Sequence, residues 1–294
     1  MATSQFLIPT QHRDFGANEK ALKIRMKSVN SIKKITKAMK MVATSKMKGD
    51  LRRLADGKEY GVSSIDTLFN SDTYMKDRIQ NVSGGAELLV PITSDKGMCG
   101  SINSGIIRDL RDYVGHKERS RLAIMSIGDK GSVGLQRNFK DILKIGIAEV
   151  ATPYNFPTAM ALGENIVRES EVNGSDKIVI FYNEFVSAIK TNIRHLELMT
   201  RKRFIQSFAN MYLYHMNKPS ATPALYDLYV SSNLWVALLN NAASEQSARM
   251  NAMENASKNA GEILDNLTLQ YNKARQARIT TELVEIISGM TSLE

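Results

Sequence analysis

Two glycine-bearing segments are the places in this sequence where backbone amides could bind a phosphate. The first is SDKGMCGSIN, from Ser94 to Asn103, and the second is GDKGSVG, from Gly128 to Gly134; each follows a β-rich run and precedes a helical one. Amides at the start of a helix bind anions because they point at the ligand and the helix dipole favours negative charge. Neither segment has the GxxxxGK[ST] or GxGxxG spacing of nucleotide-binding loops, so tight turns are the simpler interpretation. In the first turn, Asp95 is suited to accept hydrogen bonds from backbone amides.

The histidines and the cysteine do not form a catalytic or metal-binding pattern. His12, His116, His195 and His215 are scattered without HxxxH or HExxH spacing, and Cys99 stands apart from them. Zinc sites need clustered ligands, and a nucleophilic cysteine needs a neighbouring base. The sequence therefore predicts no catalytic residue, no metal and no cofactor in this chain.

Positive charge is concentrated in one segment. The chain of 294 residues has a formal net charge of +9, and Lys20 to Arg53 hold 12 Lys and Arg against one acid, Asp50. Such charge fits a solvated helix face, a nucleic-acid or acidic membrane surface, or an acidic protein partner. The segment has no aromatic residues on which bases could stack, which argues against nucleic acid. An acidic protein partner is the favoured interpretation.

These charges belong to a long predicted helix. No proline occurs between Asn18 and Phe69, and a helix of about 50 residues would be roughly 75 Å long. Its apolar residues recur in steps of three and four: Leu22, Met26, Val29, Ile32, Ile35, Met39, Val42, Met47, Leu51 and Leu54. A helix of that length needs an equally long partner.

The C-terminal part of the chain provides that partner. After Pro223 there is no proline, and only Gly261 and Gly289 interrupt a helical pattern that leans acidic. The predicted apolar stripe comprises Met250, Met253, Ala256, Ala260, Ile263, Leu267, Tyr271, Ala274, Ala277, Val284, Ile287 and Met290. Spacing that alternates between three and four predicts a left-handed, two-stranded coiled coil.

The middle of the chain predicts a small α/β sheet domain, because strand-like and helix-like runs alternate. The predicted strands are Glu87–Ile92, Leu122–Ile127, Ile142–Ile147 and Lys177–Phe181, with a further strand or hairpin within Glu184–Met199. The predicted helices are Asn103–Tyr113, Lys130–Arg137 and Thr158–Ser170. The fold class is therefore α/β plus a long α-helical coiled coil.

Five segments follow from these patterns. They are a polar leader (1–18), an N-terminal coiled-coil helix (19–69), a linker (70–85), an α/β domain with a connecting helical segment (86–222) and a C-terminal coiled-coil helix (223–294). No apolar run of about 18 residues is present, so the sequence predicts no membrane-spanning segment.

Three motifs resemble the gamma subunit of the F-type ATP synthase. They are KITKAMKMVATSKMK near the start, ITSDKGMCGSIN in the middle, and SEQSARMNAMENASKNAGEI followed by LTLQYNKARQARITTELVEIISG at the end. They occur in the order found in that family and cover essentially the whole chain.

The resemblance implies a rotor that is not itself an enzyme. In that family the terminal helices form an antiparallel coiled coil inside a ring of alternating alpha and beta subunits, and a Rossmann-like domain lies beside the membrane ring of c subunits. Chemistry resides in the beta subunits, and rotation of the shaft couples proton flow to the catalytic sites. The implied partners are the alpha and beta subunits, small delta- or epsilon-type stalk subunits and the c-ring, with no nucleic acid.

The resemblance also implies roles for particular residues. Contact with the catalytic head is expected from Met39, Lys40, Arg275, Gln276 and Thr280, of which the last three would form a polar cluster facing the first two. The apolar shaft tip is expected to include Leu283, Ile286, Ile287 and Met290. The turn motif of the α/β domain comprises Asp95, Lys96, Gly97, Cys99 and Gly100, with a structural role.

The implied location is the matrix side of the mitochondrial inner membrane, peripheral to it, because the SDKG motif and the polar leader resemble the mitochondrial form. The bacterial plasma membrane, on its cytoplasmic side, is the alternative. Two other functions remain open at this stage: a nucleotide-binding α/β enzyme, from the glycine-bearing loops, and a basic nucleic-acid-binding adaptor, from the cationic helix.

Overall fold

The computed structural model describes residues 14–63, 85–209 and 221–292 and divides the chain into two compact units. The helical unit contains the residues up to Lys40 together with those from Met253 onward, and the α/β unit is Met41–Ala252. The first 13 residues of the predicted leader and residues 70–84 of the predicted linker lie outside the described ranges.

The α/β unit is built on a five-stranded sheet. Its strands are β1 (Glu87–Pro91), β2 (Leu122–Ile127), β3 (Leu143–Ile147), β4 (Lys177–Phe185) and β5 (Thr191–Met199). They lie in the order β3-β2-β1-β4-β5, with the first four parallel and β5 antiparallel to β4. The predicted Rossmann-like sheet is confirmed, and of the further strand or hairpin expected within Glu184–Met199 the structure has the further strand, β5, which pairs with β4.

Helices connect the strands and flank the sheet. They are α2 (Ile102–Gly115), α3 (Asp129–Phe139), α4 (Phe156–Val172) and α5 (Arg201–Ala209). The three predicted helices of the α/β domain were each three or four residues too short in total, because the ends of a helix carry the weakest periodicity.

Apolar side chains of alternate strand residues fill two cores. In β1, Leu88 and Val90 face one core, together with residues of α4 and of the C-terminal helix. Leu89 faces the other core, together with Ile106 and Leu110 of α2 and with residues of α3. Burial on both faces explains why these parallel strands read as continuous apolar runs.

Two long helices belong to both units. Helix α1 runs from Asp14 to Lys58, and a π-helical turn, Glu59–Ser63, follows it. Helix α6 runs from Ala221 to Thr291 and is 71 residues long. The first helix therefore begins five residues before its predicted start, and residues 64–69 of the predicted helix lie outside the described ranges.

In the helical unit the two helices are antiparallel. Lys40 lies opposite Glu254, and Glu19 lies opposite Arg278. Four half-buried residues of α6, Glu254, Ala256, Gly261 and Thr268, flank its seam. The other buried or half-buried positions from Met253 onward follow a 4-3 spacing: Met253, Ser257, Ala260, Leu264, Leu267, Tyr271, Ala274, Arg278 and Thr281. This heptad repeat is the seam of a coiled coil, so the predicted pairing is confirmed.

The composition of the seam differs from the prediction. On α1 the seam passes through Thr36, which is buried, whereas the predicted seam residues Ile32 and Ile35 are 52% and 58% exposed. On α6, the predicted seam residues Ile263 and Ala277 are exposed, the first by 48%, while Leu264 and Arg278 lie in the seam. The last three residues of the predicted stripe are also outside the seam, 58% to 67% exposed: Val284, Ile287 and Met290. The prediction selected the most apolar residue of each turn, but a coiled coil selects residues by a 3.5-residue period.

The same correction applies to α1 within the α/β unit. Val42 was predicted for the seam and is 57% exposed, while the adjacent Ala43 is 1% exposed. The seam positions continue from Ala43 through Met47, Asp50, Leu54 and Gly57 in steps of four and three. Small residues at two of these positions allow the two backbones to approach closely.

Candidate functional site

The turn after β1 covers the start of helix α3. Asp95 Oδ1 accepts a hydrogen bond of 2.9 Å from the Asp129 amide, and the Ser94 carbonyl accepts one of 3.1 Å from the Lys130 amide. Thr93 Oγ1 accepts a third, of 2.9 Å, from the Gly131 amide. These three amides are the ones that would bind a phosphate in a Rossmann-like site. Because the chain's own oxygen atoms occupy them, the arrangement does not favour nucleotide binding there.

Glycine is required in the second loop because another segment lies against it. Gly128 has a φ of 103°, and a Cβ at this residue would lie 2.3 Å from the Thr93 carbonyl oxygen. At Gly131 a Cβ would lie 2.4 Å from Thr93 Oγ1. The glycines of GDKGSVG therefore serve close packing of α3 against the end of β1.

Cys99 is 2% exposed and lies inside the turn motif. Its Sγ accepts a hydrogen bond of 3.2 Å from Asn103 Nδ2 and is 3.6 Å from Ser94 Oγ. A buried thiol with hydroxyl and amide neighbours suits a packing role, since a reactive cysteine is accessible and lies in electropositive surroundings. Within residues 14–63, 85–209 and 221–292, no group of three or more His, Cys, Asp or Glu side chains could hold a metal ion.

An arginine of α6 binds the turn motif. Arg249 Nη2 lies 3.4 Å from the Lys96 carbonyl oxygen and 3.3 Å from the Gly97 carbonyl oxygen, and it also donates to Glu245 Oε1 at 2.6 Å. Burial raises the pKa of the Glu245 carboxyl, although the nearby Arg249 guanidinium opposes that shift. The motif residues Asp95 to Gly100 are thus attached both to α3 and to α6.

Lys40 has a partner within its own chain. Its Nζ lies 3.1 Å from Glu254 Oε1 on α6, and both side chains are more than a third exposed. A hydrogen bond and the charge of Lys40 lower the pKa of the Glu254 carboxyl. Met39, beside it, is half-buried. Any other acidic group that binds Lys40 would therefore compete with Glu254.

The second group of predicted head contacts lies elsewhere on the helical unit. Arg275, Gln276 and Thr280 are exposed on α6, and Thr280 Oγ1 donates to the Gln276 carbonyl at 2.9 Å. Lys40 lies opposite Glu254, and Arg275 is about 32 Å further along α6 by the helical rise. The expected facing of these residues across the seam is therefore wrong, since antiparallel pairing places Glu19 opposite this part of α6. They form two separate surfaces.

Large apolar side chains project outward from the helical unit. The predicted tip residues Leu283, Ile286, Ile287 and Met290 are 53% to 67% exposed. On α1 the exposed side chains are Ile24, Ile32 and Ile35, which the sequence analysis had placed in the seam or left unassigned. The missed signal was that these isoleucines fall outside the strict 4-3 spacing. Exposed apolar surface of this extent marks a protein interface.

Across the residues that the structure describes, no helix is both long enough and apolar enough to cross a membrane.

The profile of the ATP synthase family matches residues 18–293. The ATP synthase gamma chain of Pelagibacter ubique is 35% identical over 286 residues, covering 92% of this chain and 98% of the relative. The chain belongs to the ATP synthase gamma family. The mitochondrial gamma subunit of Drosophila melanogaster is 31% identical, covering all of this chain and 96% of its own.

Chains in solved structures of mitochondrial ATP synthases have a similar fold. A chain from the central stalk and c-ring of the Tetrahymena thermophila mitochondrial ATP synthase has a TM-score of 0.69 and 39% identity, covering 76% of this chain and 99% of its own. A chain of the Euglena gracilis mitochondrial ATP synthase has a TM-score of 0.74 at 20% identity, covering 95% of both chains. The second likeness supports the fold alone.

Proposed function

We propose that this gamma chain is the central rotor of an F-type ATP synthase. The observation that carries the proposal is the gamma-family match over nearly the whole chain, with a 39% identical counterpart in a central stalk. The outward isoleucines of α1 and the exposed tip of α6 support it. A pair of helices that exposes many large apolar side chains outside its seam is suited to a surrounding protein ring.

The proposed mechanism is mechanical. The chain is turned through its α/β unit by a c-ring, and its paired helices impose different conformations on the catalytic sites of an alpha–beta hexamer. An asymmetric shaft shifts each site among states of different nucleotide affinity because it makes different contacts with each state. The chain itself is non-catalytic in this proposal, which agrees with the occupied amides at the start of α3.

The proposed partners are the alpha and beta subunits, the small delta- or epsilon-type stalk subunits and the c-ring. Structures that contain similar chains include an assembly of central stalk and c-ring, and one of OSCP, F1 and c-ring. We place the chain at the matrix side of the mitochondrial inner membrane, peripheral to the bilayer. Relatives of 31% and 32% identity from Drosophila melanogaster and Dictyostelium discoideum are mitochondrial by name.

Native co-purification tests the proposal. Affinity isolation of the tagged chain from its own cells should yield one copy with three alpha and three beta subunits, and mass spectrometry should find c-ring and stalk subunits. Isolation of the chain alone, or with ATP hydrolysis of its own, contradicts the proposal.

Two further measurements test the functions left open by the sequence. Calorimetry of the isolated chain with ATP and with NAD should show no saturable heat, because the α3 amides are already bonded. A nucleic-acid adaptor would bind duplex DNA with an affinity that falls by several powers of ten between about 50 and 200 mM salt. We expect this chain to show no such binding.

A further inference from the structure

Helix α6 buries a polar face against the α/β unit. Five polar residues along this part of α6 are each no more than 9% exposed: Asn240, Asn241, Ser244, Ser247 and Arg249. Burying polar side chains is costly unless each finds a hydrogen-bond partner. The partners of this face identify what it does.

Its first three residues bind strand β4. Asn241 Oδ1 accepts a hydrogen bond of 2.9 Å from Asn183 Nδ2, and Ser244 Oγ donates one of 3.1 Å to the Asn183 carbonyl. Asn240 Oδ1 accepts a longer one, of 3.4 Å, from the Phe185 amide. Two successive turns of α6 are thus bonded to one strand.

Ser247 and the half-buried Asn251, one turn further along the helix, bind the connection between β4 and β5. Ser247 Oγ donates a hydrogen bond of 2.7 Å to the Ala188 carbonyl oxygen, and Asn251 Nδ2 donates one of 2.6 Å to the same atom. One carbonyl therefore accepts from two consecutive turns of the helix, which leaves little freedom for the helix to turn or slide past it.

Arg249 adds an attachment to a different segment. Its guanidinium contacts the carbonyl oxygens of Lys96 and Gly97 in the turn after β1, and Glu245, one turn earlier, holds it in place. The helix is therefore bonded to the hairpin through Ser247 and Asn251 and to the turn motif through Arg249. Attachment to two separate segments resists rotation about the helix axis better than attachment to one.

The preceding part of α6 contacts the domain mainly through apolar side chains. Two directional contacts accompany them: Tyr226 Oη donates a hydrogen bond of 3.0 Å to the Met199 carbonyl oxygen, and Asp227 forms a partly exposed ion pair of 2.8 Å with Arg201. Tyr226, Val230, Leu234 and Leu238 pack into the apolar core of the α/β unit. Apolar contacts are non-directional, so they hold the helix against the sheet without strongly fixing its angle. Hydrogen bonds weaken steeply when their geometry is distorted, so they do fix an angle.

We propose that the polar face, defined as Asn240, Asn241, Ser244, Ser247, Arg249 and Asn251, is the joint that transmits torque between the α/β unit and helix α6. This inference rests on the proposed rotor function. It assigns to these residues a positioning role: they set the angle of α6 on the domain, and the apolar core supplies adhesion.

The test uses the assembled complex of the chain with its alpha and beta subunits. A bead is attached to the α/β unit through Lys144→Cys, an exposed position, since the native Cys99 is buried. The angular fluctuation of the bead is recorded during catalytic pauses in wild type and in variants. The double variant Ser247→Ala/Asn251→Leu removes both donors to Ala188, and the single variant Asn251→Asp removes one donor with little change in shape.

Asn233→Ala is the matched control, because Asn233 Nδ2 bonds to the Tyr229 carbonyl within α6 itself. We expect the variance of the angle to rise about twofold or more in the double variant, less in Asn251→Asp, and not in the control, since only the first two lose directional bonds to the domain. Thermal unfolding should show that Asn251→Asp remains folded.

The outcomes separate the two proposals. If the double variant assembles with alpha and beta and the variance of its bead angle is unchanged, the proposed joint is contradicted, even if the variant is less stable. Equal increases in the control and the double variant also overturn it. Failure of the wild-type chain to assemble with alpha and beta contradicts the rotor function instead.

Discussion

Glu19 of helix α1 lies in the coiled-coil seam with its Oε2 3.2 Å from Nε of Arg278 on helix α6. The Glu19 side chain is 13% exposed and that of Arg278 is 43% exposed. A charged pair thus occupies a position where coiled coils normally place apolar residues. Its contribution depends on the balance between desolvation of Glu19 and attraction to Arg278.

The first prediction concerns this pair. Arg278→Leu leaves the Glu19 carboxylate largely shielded from water without its guanidinium partner, and we expect a loss of about 1–2 kcal/mol in the local opening free energy of α1. The value is below that for a fully buried pair because Arg278 is partly hydrated. The double variant Glu19→Leu/Arg278→Leu should match or exceed wild type. Hydrogen exchange of the α1 amides measures all three, and a double variant weaker than the single contradicts the prediction.

The second prediction concerns close packing of α1 on α6 in the α/β unit. A Cβ at Gly57 would lie 2.4 Å from Leu239 Cδ1, so Gly57→Ala should cost about 1–3 kcal/mol through overpacking. Gly49→Ala is the control: its Cβ would meet only Arg53 Nη1, at 3.8 Å, and the variant should gain up to about 1 kcal/mol of helix propensity.

A second substitution identifies the cause. Leu239→Ala should cost stability by itself, but it should cost less in the Gly57→Ala background, because the added methyl group then enters the space that Leu239 leaves. Denaturant unfolding of wild type, the two single variants and the double variant gives the coupling free energy between the two substitutions. Additive losses would show that the close approach of Gly57 to Leu239 is not what requires glycine.

The sequence was sufficient to predict the elements and their pairing but not the seam. Strands read as short apolar runs because both faces of the sheet are covered, and the 4-3 spacing of α6 predicted a coiled coil correctly. Ile32 and Ile35 were assigned to the seam because apolar residues are normally buried within the same chain. That expectation fails here, because Ile32 and Ile35 are more than half exposed while Thr36 is buried, so hydrophobicity alone could not identify the seam residue.

Contacts between distant segments also escaped the sequence analysis. The position of Arg249 in the sequence does not indicate that it binds the carbonyl oxygens of Lys96 and Gly97, because every residue has a main-chain carbonyl and such acceptors give no sequence pattern. The role of Asp95 was easier to anticipate, since an aspartate in a turn commonly accepts from backbone amides, and it accepts from Asp129.

The third prediction separates the outer surface from the seam. Ile32→Ser and Ile35→Ser should change the stability of the free chain by less than about 0.5 kcal/mol, because both side chains are more than half exposed. Affinity for the alpha–beta head should fall about tenfold or more in the double variant, as expected for loss of buried apolar anchors. Val29→Ser, in the half-buried seam, should instead destabilise the chain. Thermal unfolding and pull-down of the head measure the two effects, and unchanged affinity excludes the outer isoleucines as contacts.

The fourth prediction gives two glutamates opposite pH dependences. Burial raises the pKa of Glu245 above its ordinary value of 4.5, so the stability advantage of wild type over Glu245→Gln should fall as pH rises through and above 4.5. Lys40 lowers the pKa of Glu254, so the advantage of wild type over Glu254→Gln should be present above 4.5 and be lost as pH falls below it. Thermal midpoints between about pH 3.5 and 6.5 measure both, and slopes of the same sign contradict the assignment.

The fifth prediction tests Lys40 as a contact with the head. Lys40→Glu places two carboxylates face to face with Glu254 and also reverses the charge offered to a partner, so a loss of coupling in this variant alone is ambiguous. The charge swap Lys40→Glu/Glu254→Lys restores the pair within the chain but leaves the reversed charge at position 40. If Lys40 binds an acidic loop of the head, the swap should recover the stability of the helical unit while ATP-driven proton pumping remains impaired.

Arg275→Glu, about 32 Å away along α6 by the helical rise, should impair pumping with little effect on stability because its side chain is exposed. Hydrogen exchange and proton pumping by the assembled enzyme are measured on the same preparations. Full recovery of pumping in the swap would show that Lys40 acts through Glu254 and not through the head.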